Sequence, residues 1–384
     1  GQASEADAEL AAAALEATWE ALVEDAGWRA PVSSDEYLLW VVMDTGLSGT
    51  GLTTEYTTPE YPDGYPVIYL NPTYAWSTDF YTSLSAHELN HALQYARRDW
   101  QSGDGESWYW EASAEWGAEL ALPDVDAYAD QSTYYSSYPW YTFSSTDNYH
   151  QYGMFVLNAY IEEYLTGAGG MADIWALSEQ RTGVGWDEII AESVGEEAGD
   201  IWAGFSAAMG NNLLRESALY EDVLVDGPVS DGTSGRVAYL GTDYFRAPGD
   251  FTLTATSPAG ESVAVASPQG FGDSIQIRSG DIIGVTGLTD GTAGYTLALT
   301  DPQDDEPVDT GTPDDTGDPV DTGLEDTGEP SAEDTGGSDT PTNVPPGDGD
   351  EEPAGCGCAA GAPAGGVAGL AVLLLGLVRR QDAV

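Results

Sequence analysis

The chain of 384 residues contains no lysine, and its ten basic residues are all arginine. Against these stand 66 acidic residues, so the formal net charge at pH 7 is −56. Such a chain repels the phosphates of nucleic acids, which excludes nucleic-acid binding as a function class. Of the acidic residues, 46 lie within residues 1–300. They fit two explanations, a surface adapted to high salt or an extracellular protein that binds cations such as calcium, and both stay open.

Cysteine is nearly absent as well. Cys356 and Cys358 are the only two, and they lie outside any segment with the composition of a globular core. A disulfide scaffold is therefore excluded, and a metal site at this pair lacks further thiol ligands. A secretory signal would consist of a basic segment followed by an apolar run, and the residues after Gly1 do not show this pattern. Export is expected if such a signal has already been removed.

The composition predicts four parts. Residues 1–221 mix helical and strand-like patterns and predict an α+β domain. Short alternating runs separated by turn residues in 222–300 predict a small antiparallel β-sandwich. Asp-Thr-Gly repeats with few apolar residues predict a disordered acidic linker over 301–353. In the last part, 354–384, the uncharged stretch Ala359–Val378 predicts a hydrophobic helix long enough to cross a bilayer.

Apolar spacing within the first part predicts individual elements. Two strands are expected at Tyr37–Met43 and Tyr65–Leu70, joined by a Gly/Thr/Pro-rich connection. Residues 132–149 are predicted to form an aromatic, Ser-rich loop. The expected helices cover residues 6–25, 79–97, 108–120, 152–165, 172–180, 186–194 and 196–214.

The strongest functional signal is His87-Glu88-Leu89-Asn90-His91. On a helix, residues i and i+4 share one face, so both histidines can reach one metal ion. Zinc lowers the pKa of water to about 7, and Glu88 is placed to take a proton from that water. The motif therefore predicts a zinc-dependent hydrolase.

Catalytic zinc needs a third protein ligand. His150 is the only other histidine in the chain, which favours a carboxylate instead. The helix predicted over 108–120 offers Glu111, Glu115 and Glu119, each one turn apart. Spacing alone leaves the choice among these three carboxylates open.

The order His87–His91 followed by Glu111-Ala-Ser-Ala-Glu115 resembles the gluzincin metallopeptidases, of which thermolysin is the familiar member. Over about residues 35–215 the pattern is similar to secreted gluzincins of myxobacteria. The resemblance implies a thermolysin-like catalytic domain, a small sheet with metal-binding helices. It also implies that Glu111 is the third zinc ligand and that Glu115, where the family usually has Asp, orients a ligand histidine.

Gluzincins commonly use a Tyr or His downstream of the third ligand to stabilise the developing oxyanion. Here Tyr149, His150 and Tyr152 lie at the start of the next predicted helix. Tyr152 opens the segment YGMFVLNAYIEEYL, which belongs to the resemblance. Tyr152 and His150 are therefore the two candidates for this role.

The C-terminal region carries a second resemblance. A GCGC sequence with Cys356 and Cys358, a Gly/Ala/Pro stretch, an apolar run and Arg379-Arg380 are similar to the MYXO-CTERM surface-sorting tag. This resemblance implies that a sorting peptidase processes the chain near the cysteines and leaves it attached outside the cell. A plain single-span membrane anchor, with the arginine pair at the cytoplasmic face, is the alternative.

Together these features predict a zinc-dependent endopeptidase displayed at the cell surface, with a protein or peptide as substrate. The alternative from another class is a surface adhesin or binding protein whose metal site is structural or inactive. An open coordination position and the presence of Glu88 favour the enzyme.

Overall fold

A mixed β-sheet and two long helices form the N-terminal half of the described chain. The computed structural model describes residues 3–31, 39–57, 59, 64–98, 106–301 and the backbone of 371–374. In the first helix, α1 (Glu5–Thr18), Ser4 accepts a hydrogen bond from the Asp7 amide, and Asp7 accepts one from the Ser4 amide. This reciprocal capping fixes the helix start. A π-helical segment, Trp19–Asp25, continues it, so the helix predicted over 6–25 is confirmed in outline.

The sheet contains strands β1 (Trp40–Met43), β2 (Gly51–Tyr56) and β3 (Tyr65–Leu70). Strand β3 lies in the middle, parallel to β1 and antiparallel to β2. The predicted strand at 65–70 is confirmed, whereas β2 lies in the connection for which no strand was predicted. Gly, Thr and Glu give β2 little apolar content, which hides its alternation between two faces.

Helix α2 (Thr78–Arg98) packs between this sheet and α3 (Ser107–Ala121), and both helices agree with prediction. Nearly every residue of α2 from Ser83 onward is buried, because the helix has protein on all sides. The two helices approach closely where Gly117 of α3 meets Asn90 of α2. A Cβ at Gly117 would overlap the Asn90 side-chain nitrogen, so the spacing of the two helices depends on this glycine.

Shorter helices follow α3. The segment predicted as one helix over 152–165 is broken at Met154, and its last part is π-helical, Ile161–Thr166. Gly153, just before the break, packs closely, since a Cβ there would overlap the backbone nitrogen of Tyr135. The remaining α-helices of the described region are α4 (Ser132–Ser136), α5 (His150–Gly153), α6 (Phe155–Tyr160), α7 (Gly170–Ser178), α8 (Trp186–Val194) and α9 (Ala198–Gly210). The predicted loop at 132–149 thus contains the short helix α4.

Two antiparallel sheets follow α9, as predicted for 222–300. The strands are β4 (Ser234–Ala238), β5 (Thr242–Arg246), β6 (Phe251–Thr256), β7 (Val263–Ser267), β8 (Gly270–Gly272), β9 (Ser274–Ile277), β10 (Ile282–Gly287) and β11 (Thr292–Thr300). One sheet has the order β5-β10-β7-β8 and the other β4-β11-β6-β9. A core of Val, Ile, Leu, Phe and Tyr side chains, including Val265, Ile283 and Leu297, is buried in this region. The described chain is therefore α+β.

The strand region packs directly against the helices. Helix α9 lies on β7 and β10, and the hydroxyl groups of Tyr135 and Tyr244 lie 3.0 Å apart. Alanine side chains of α9 and β7 meet in a small apolar cluster. Residues 1–302 belong to one compact unit, and the boundary at 221/222 stays a prediction.

The prediction of a C-terminal helix over 359–378 is wrong at Ala371–Leu374, because these residues form a strand antiparallel to β1. A short apolar run satisfies the pattern of a buried strand as well as that of a helix, so periodicity does not separate the two. Within the described residues, no helix has the length and hydrophobicity to span a membrane. The linker, Cys356, Cys358 and the arginine pair lie outside the described residues.

Candidate metal centre

Three potential ligand atoms converge between α2 and α3. The Nε2 atoms of His87 and His91 lie 3.0 Å apart. Glu111 Oε2 lies 3.2 Å from the first and 3.4 Å from the second. All three residues are buried, and among the described residues this is the group that could hold a metal ion. The structure therefore selects Glu111 from the three carboxylates that spacing had left open.

The spacing of these atoms fits a tetrahedral ion. Zinc binds imidazole nitrogen at about 2.0–2.1 Å, so two ligand atoms on a tetrahedral ion are roughly 3.3 Å apart. In the part of the chain that the structure describes, Glu111 Oε2 makes no hydrogen bond of ordinary geometry. A buried oxygen in that state costs free energy that a cation would recover. The donor set, two imidazoles and one carboxylate, is one that zinc takes.

The electrostatics of the site also favour positive charge. Burial alone would lower the pKa of His87, but the carboxylates of Glu115 and Glu111 raise it well above its ordinary value. Burial likewise opposes ionisation of Glu111, yet His91 and His87 hold its pKa well below the ordinary range. The carboxylates thus stabilise a cation at the point where the two Nε2 atoms meet.

Glu88 lies beside the cluster and is held from the sheet. The Thr53 hydroxyl of β2 is 2.7 Å from Glu88 Oε2 and 2.7 Å from the Glu88 carbonyl oxygen. Gly51 leaves the room that the carboxylate needs, since a Cβ there would overlap Glu88 Oε1. Burial raises the pKa of Glu88, opposed by His91, His87 and the Thr53 hydroxyl. A buried carboxyl with a raised pKa is suited to accept and release a proton.

Each ligand histidine has a polar side chain near its other ring nitrogen. His87 Nδ1 lies 3.2 Å from Glu115 Oε1, an ion-pair distance without the geometry of an ordinary hydrogen bond, and Glu115 thus lies where an orienting residue is expected. His91 Nδ1 lies 2.7 Å from Gln94 Oε1. Sequence reasoning identified neither Gln94 nor Thr53. Gln94 follows His91 by three positions on the same helix, a spacing that could have indicated contact, whereas nothing local indicates that Thr53 reaches Glu88.

The two candidates for oxyanion stabilisation differ in their surroundings. The Tyr152 ring lies beside the His87 ring, with 6.2 Å between centroids. His150 is buried next to Tyr135 and Tyr141 instead. Burial lowers the pKa of His150 to about 4, partly opposed by the Ser145 backbone. The structure thus brings Tyr152 to the metal cluster and leaves His150 in an aromatic environment.

A strained turn precedes these two residues. Asn148 and Tyr149 have φ angles of 52° and 59°, two successive non-glycine residues in the left-handed region. The Asn148 amide donates to the Tyr141 hydroxyl at 2.8 Å and so helps to hold the turn. Backbone in this conformation persists where the surrounding structure enforces it, which is common at functional sites.

Glu119, the third carboxylate of the α3 series, is not part of the cluster. Its pKa is raised to about 7 by burial and by Glu216 and Asp126. The Tyr128 hydroxyl donates a hydrogen bond to the Glu216 carboxylate in the same group. Glu119 therefore belongs to a separate acidic group near the C-terminal end of α3.

A family of unknown function, DUF6055, matches residues 2–183. The matched span includes strands β1 to β3, helices α2 and α3, and Tyr152, and it ends before the antiparallel sheets. No curated protein matches this chain. The chain is thus similar to a family whose description names no activity.

Proposed function

We propose that this protein is a zinc-dependent endopeptidase of the gluzincin type. The observation that carries the proposal is the convergence of His87, His91 and Glu111 at 3.0–3.4 Å next to the buried carboxylate of Glu88. The three ligands found among the described residues are the number typical of catalytic rather than structural zinc sites. Calcium fits less well, because it takes six to eight oxygen ligands.

In this proposal, different side chains of the protein have different catalytic roles. His87, His91 and Glu111 hold the ion. When bound, zinc supplies Lewis acidity that activates water and polarises a carbonyl group. Glu88 accepts the proton of the attacking water and delivers it to the leaving amine, and its hydrogen bond to Thr53 keeps the carboxylate in position. Tyr152, beside His87, donates to the oxyanion that develops on the substrate.

The position of β2 supports a peptide as substrate. Among the described strands of the first sheet, β2 lies at the edge and pairs with β3 on one side. The side chain of Thr53 on this strand contacts Glu88. An extended peptide can add to a free strand edge through main-chain hydrogen bonds, which would lay its backbone along the metal cluster. The proposed substrate is accordingly an extended segment of protein.

A separate proposal concerns location. Surface attachment near Cys356 or Cys358 rests on the resemblance of the GCGC region to a sorting tag. Mass spectrometry of the C-terminal peptide from the native cell surface tests it. A mature chain that retains Arg379 and Arg380 contradicts processing at the cysteines.

The activity is tested on the purified full chain. We expect one zinc ion per chain by metal analysis and cleavage of casein that a chelator abolishes and zinc restores. Glu88→Gln should retain the zinc while turnover falls by several orders of magnitude, because the base is lost and the ligands remain. Asp79→Asn changes an exposed carboxylate at the start of the same helix and is the matched control. Stoichiometric zinc without any cleavage would favour the alternative, a binding protein with a structural metal site.

A further inference from the structure

Gln94 is a fully buried amide that connects the metal cluster to the surrounding helices. Its Nε2 lies 2.9 Å from Asn90 Oδ1, 2.9 Å from the Trp110 carbonyl oxygen and 3.0 Å from Ser113 Oγ. Its Oε1 lies 2.7 Å from His91 Nδ1. Every polar atom of the side chain therefore has a partner, and the partners belong to α2 and α3.

These contacts determine which way the amide points. The Trp110 carbonyl is an acceptor only, so the atom of Gln94 that faces it must be the NH₂ group. The Ser113 hydroxyl donates to the Tyr109 carbonyl and accepts from Trp175 Nε1 at 3.0 Å. The hydroxyl hydrogen of Ser113 is therefore already used, so Ser113 Oγ can only accept a hydrogen bond from Gln94. Because the Trp110 carbonyl oxygen and Ser113 Oγ both accept from Nε2, the oxygen of Gln94 must face His91.

An amide oxygen accepts a hydrogen bond and cannot donate one. The nitrogen opposite Gln94 Oε1 must then carry a proton, so the neutral His91 ring is protonated at Nδ1. In this tautomer Nε2 carries the lone pair, and Nε2 is the atom that points to His87 and Glu111. His87 differs, because its Nδ1 faces the carboxylate of Glu115.

We propose that Gln94 is a positioning residue that holds His91 in the Nδ1–H tautomer, so that the ring is ready to bind metal before the ion arrives. The inference rests on the proposed metal site, but it concerns the metal-free protein as well. An orienting partner of this kind typically contributes 10- to 100-fold to metal affinity. The Trp110 carbonyl oxygen and Ser113 Oγ hold the amide in the orientation in which its oxygen faces His91 Nδ1.

The first test needs no substitution. The chain has three histidines, so the imidazole nitrogens of a protein labelled with ¹⁵N-histidine give few NMR signals. At a pH where the rings are neutral, we expect metal-free wild-type protein to show His91 as the Nδ1–H tautomer. Finding His91 protonated at Nε2, or a mixture of both tautomers, overturns the proposal.

The second test measures metal affinity. Gln94→Leu keeps much of the side-chain volume but removes the acceptor, and we expect zinc affinity to fall about 10- to 100-fold in a chelator competition. Trp175→Phe removes the hydrogen bond to Ser113 Oγ without touching the Gln94–His91 contact, and it should keep wild-type affinity despite lower stability. Wild-type affinity in folded Gln94→Leu overturns the proposal. Because the readouts are tautomer and zinc affinity, an inactive protein that passes both tests refutes the peptidase activity and leaves this inference standing.

Discussion

The hydroxyl group of Thr53, on an edge strand, contacts the carboxylate of Glu88, on a helix 35 residues later in the chain, at 2.7 Å. The contact joins the sheet to the proposed catalytic base at a buried position. Among the described contacts, the hydrogen bond to the Glu88 side chain comes from this strand and not from the ligand helices. The sheet therefore takes part in the site and does not serve only as a support for α2.

Replacing Thr53 with valine removes this hydrogen bond and preserves the shape of the side chain. Because a hydrogen bond to a charged group contributes about 1.5–3 kcal/mol, we expect kcat to fall about 10- to 100-fold with zinc content unchanged. Thr54→Val, at the next position on the same strand, changes a half-buried residue on the opposite face and is the control. Equal kcat values in the two variants would show that Thr53 does not position the base.

The carboxylates of α3 should differ in their effect on metal content. Glu111→Gln removes a ligand, so we expect the purified variant to lose stoichiometric zinc. Glu119 lies two turns further along the helix in a different acidic group, so we expect the Glu119→Gln variant to keep its full zinc content. Metal analysis of both variants after dialysis is the measurement. Retention of zinc by Glu111→Gln together with loss by Glu119→Gln would contradict the ligand assignment.

Tyr152 and His150 can be separated by kinetics. Tyr152→Phe keeps the ring beside His87 but removes the hydroxyl, and loss of an oxyanion donor typically lowers kcat by 100- to 1,000-fold. His150→Phe replaces a buried ring among Tyr135 and Tyr141, and we expect kcat within a few-fold of wild type. Zinc content should be unchanged in both variants. The reverse order of effects would assign the role to His150.

The acidic group at the end of α3 predicts a dependence of stability on pH. The pKa of Glu119 rises from 4.5 to about 7 in the folded protein, so the folded state binds more protons than the unfolded state between these values. Its contribution to stability is therefore complete below about pH 4.5 and is lost as pH rises to 7. Glu119→Gln should unfold like wild type at pH 4.5 but be more stable above pH 7.

The expected difference in the free energy of unfolding between Glu119→Gln and wild type above pH 7 is about 1 kcal/mol, since solvent screens part of the interaction with Glu216 and Asp126. Denaturant unfolding at several pH values measures it, with Glu16→Gln, an exposed residue of α1, as the control. A difference between Glu119→Gln and wild type that does not change with pH would contradict the raised pKa.

Local spacing was sufficient for one part of the site. His87 and His91 follow from the helical repeat alone, and Glu88 from its place between them. Glu111 needed the family resemblance, because three carboxylates share one periodic series and only the crossing of α2 and α3 distinguishes them. Thr53 could not be predicted, because its contact with Glu88 joins a strand to a helix 35 residues later. The spacing of Gln94 from His91 is compatible with contact, but its orientation depends on atoms of the neighbouring helix α3.

Local sequence patterns also predicted only part of the fold. Helices with strong apolar repeats, such as α2, α3 and α8, were predicted to within two residues at each end. Strand β2 was missed because its Gly- and Thr-rich sequence resembles a connection. The break at Met154 interrupts a continuous apolar repeat, so apolar spacing does not report it. Ala371–Leu374 pair with β1 across more than 300 residues of chain, a contact that no local pattern contains.

Small side chains bring α9 unusually near the strands that follow it. Ala203 and Ala207 on the helix meet Ala264 and Ala266 on β7, and the Asn211 amide at the helix end donates to the Ile282 carbonyl oxygen at 2.7 Å. Separating the two regions would expose apolar surface and break the hydrogen bond of the half-buried Asn211 amide, so unfolding of either region destabilises the other. Residues 3–301 should consequently denature as a single cooperative transition in calorimetry. An expression fragment for crystallisation should then end near 301 rather than at 221.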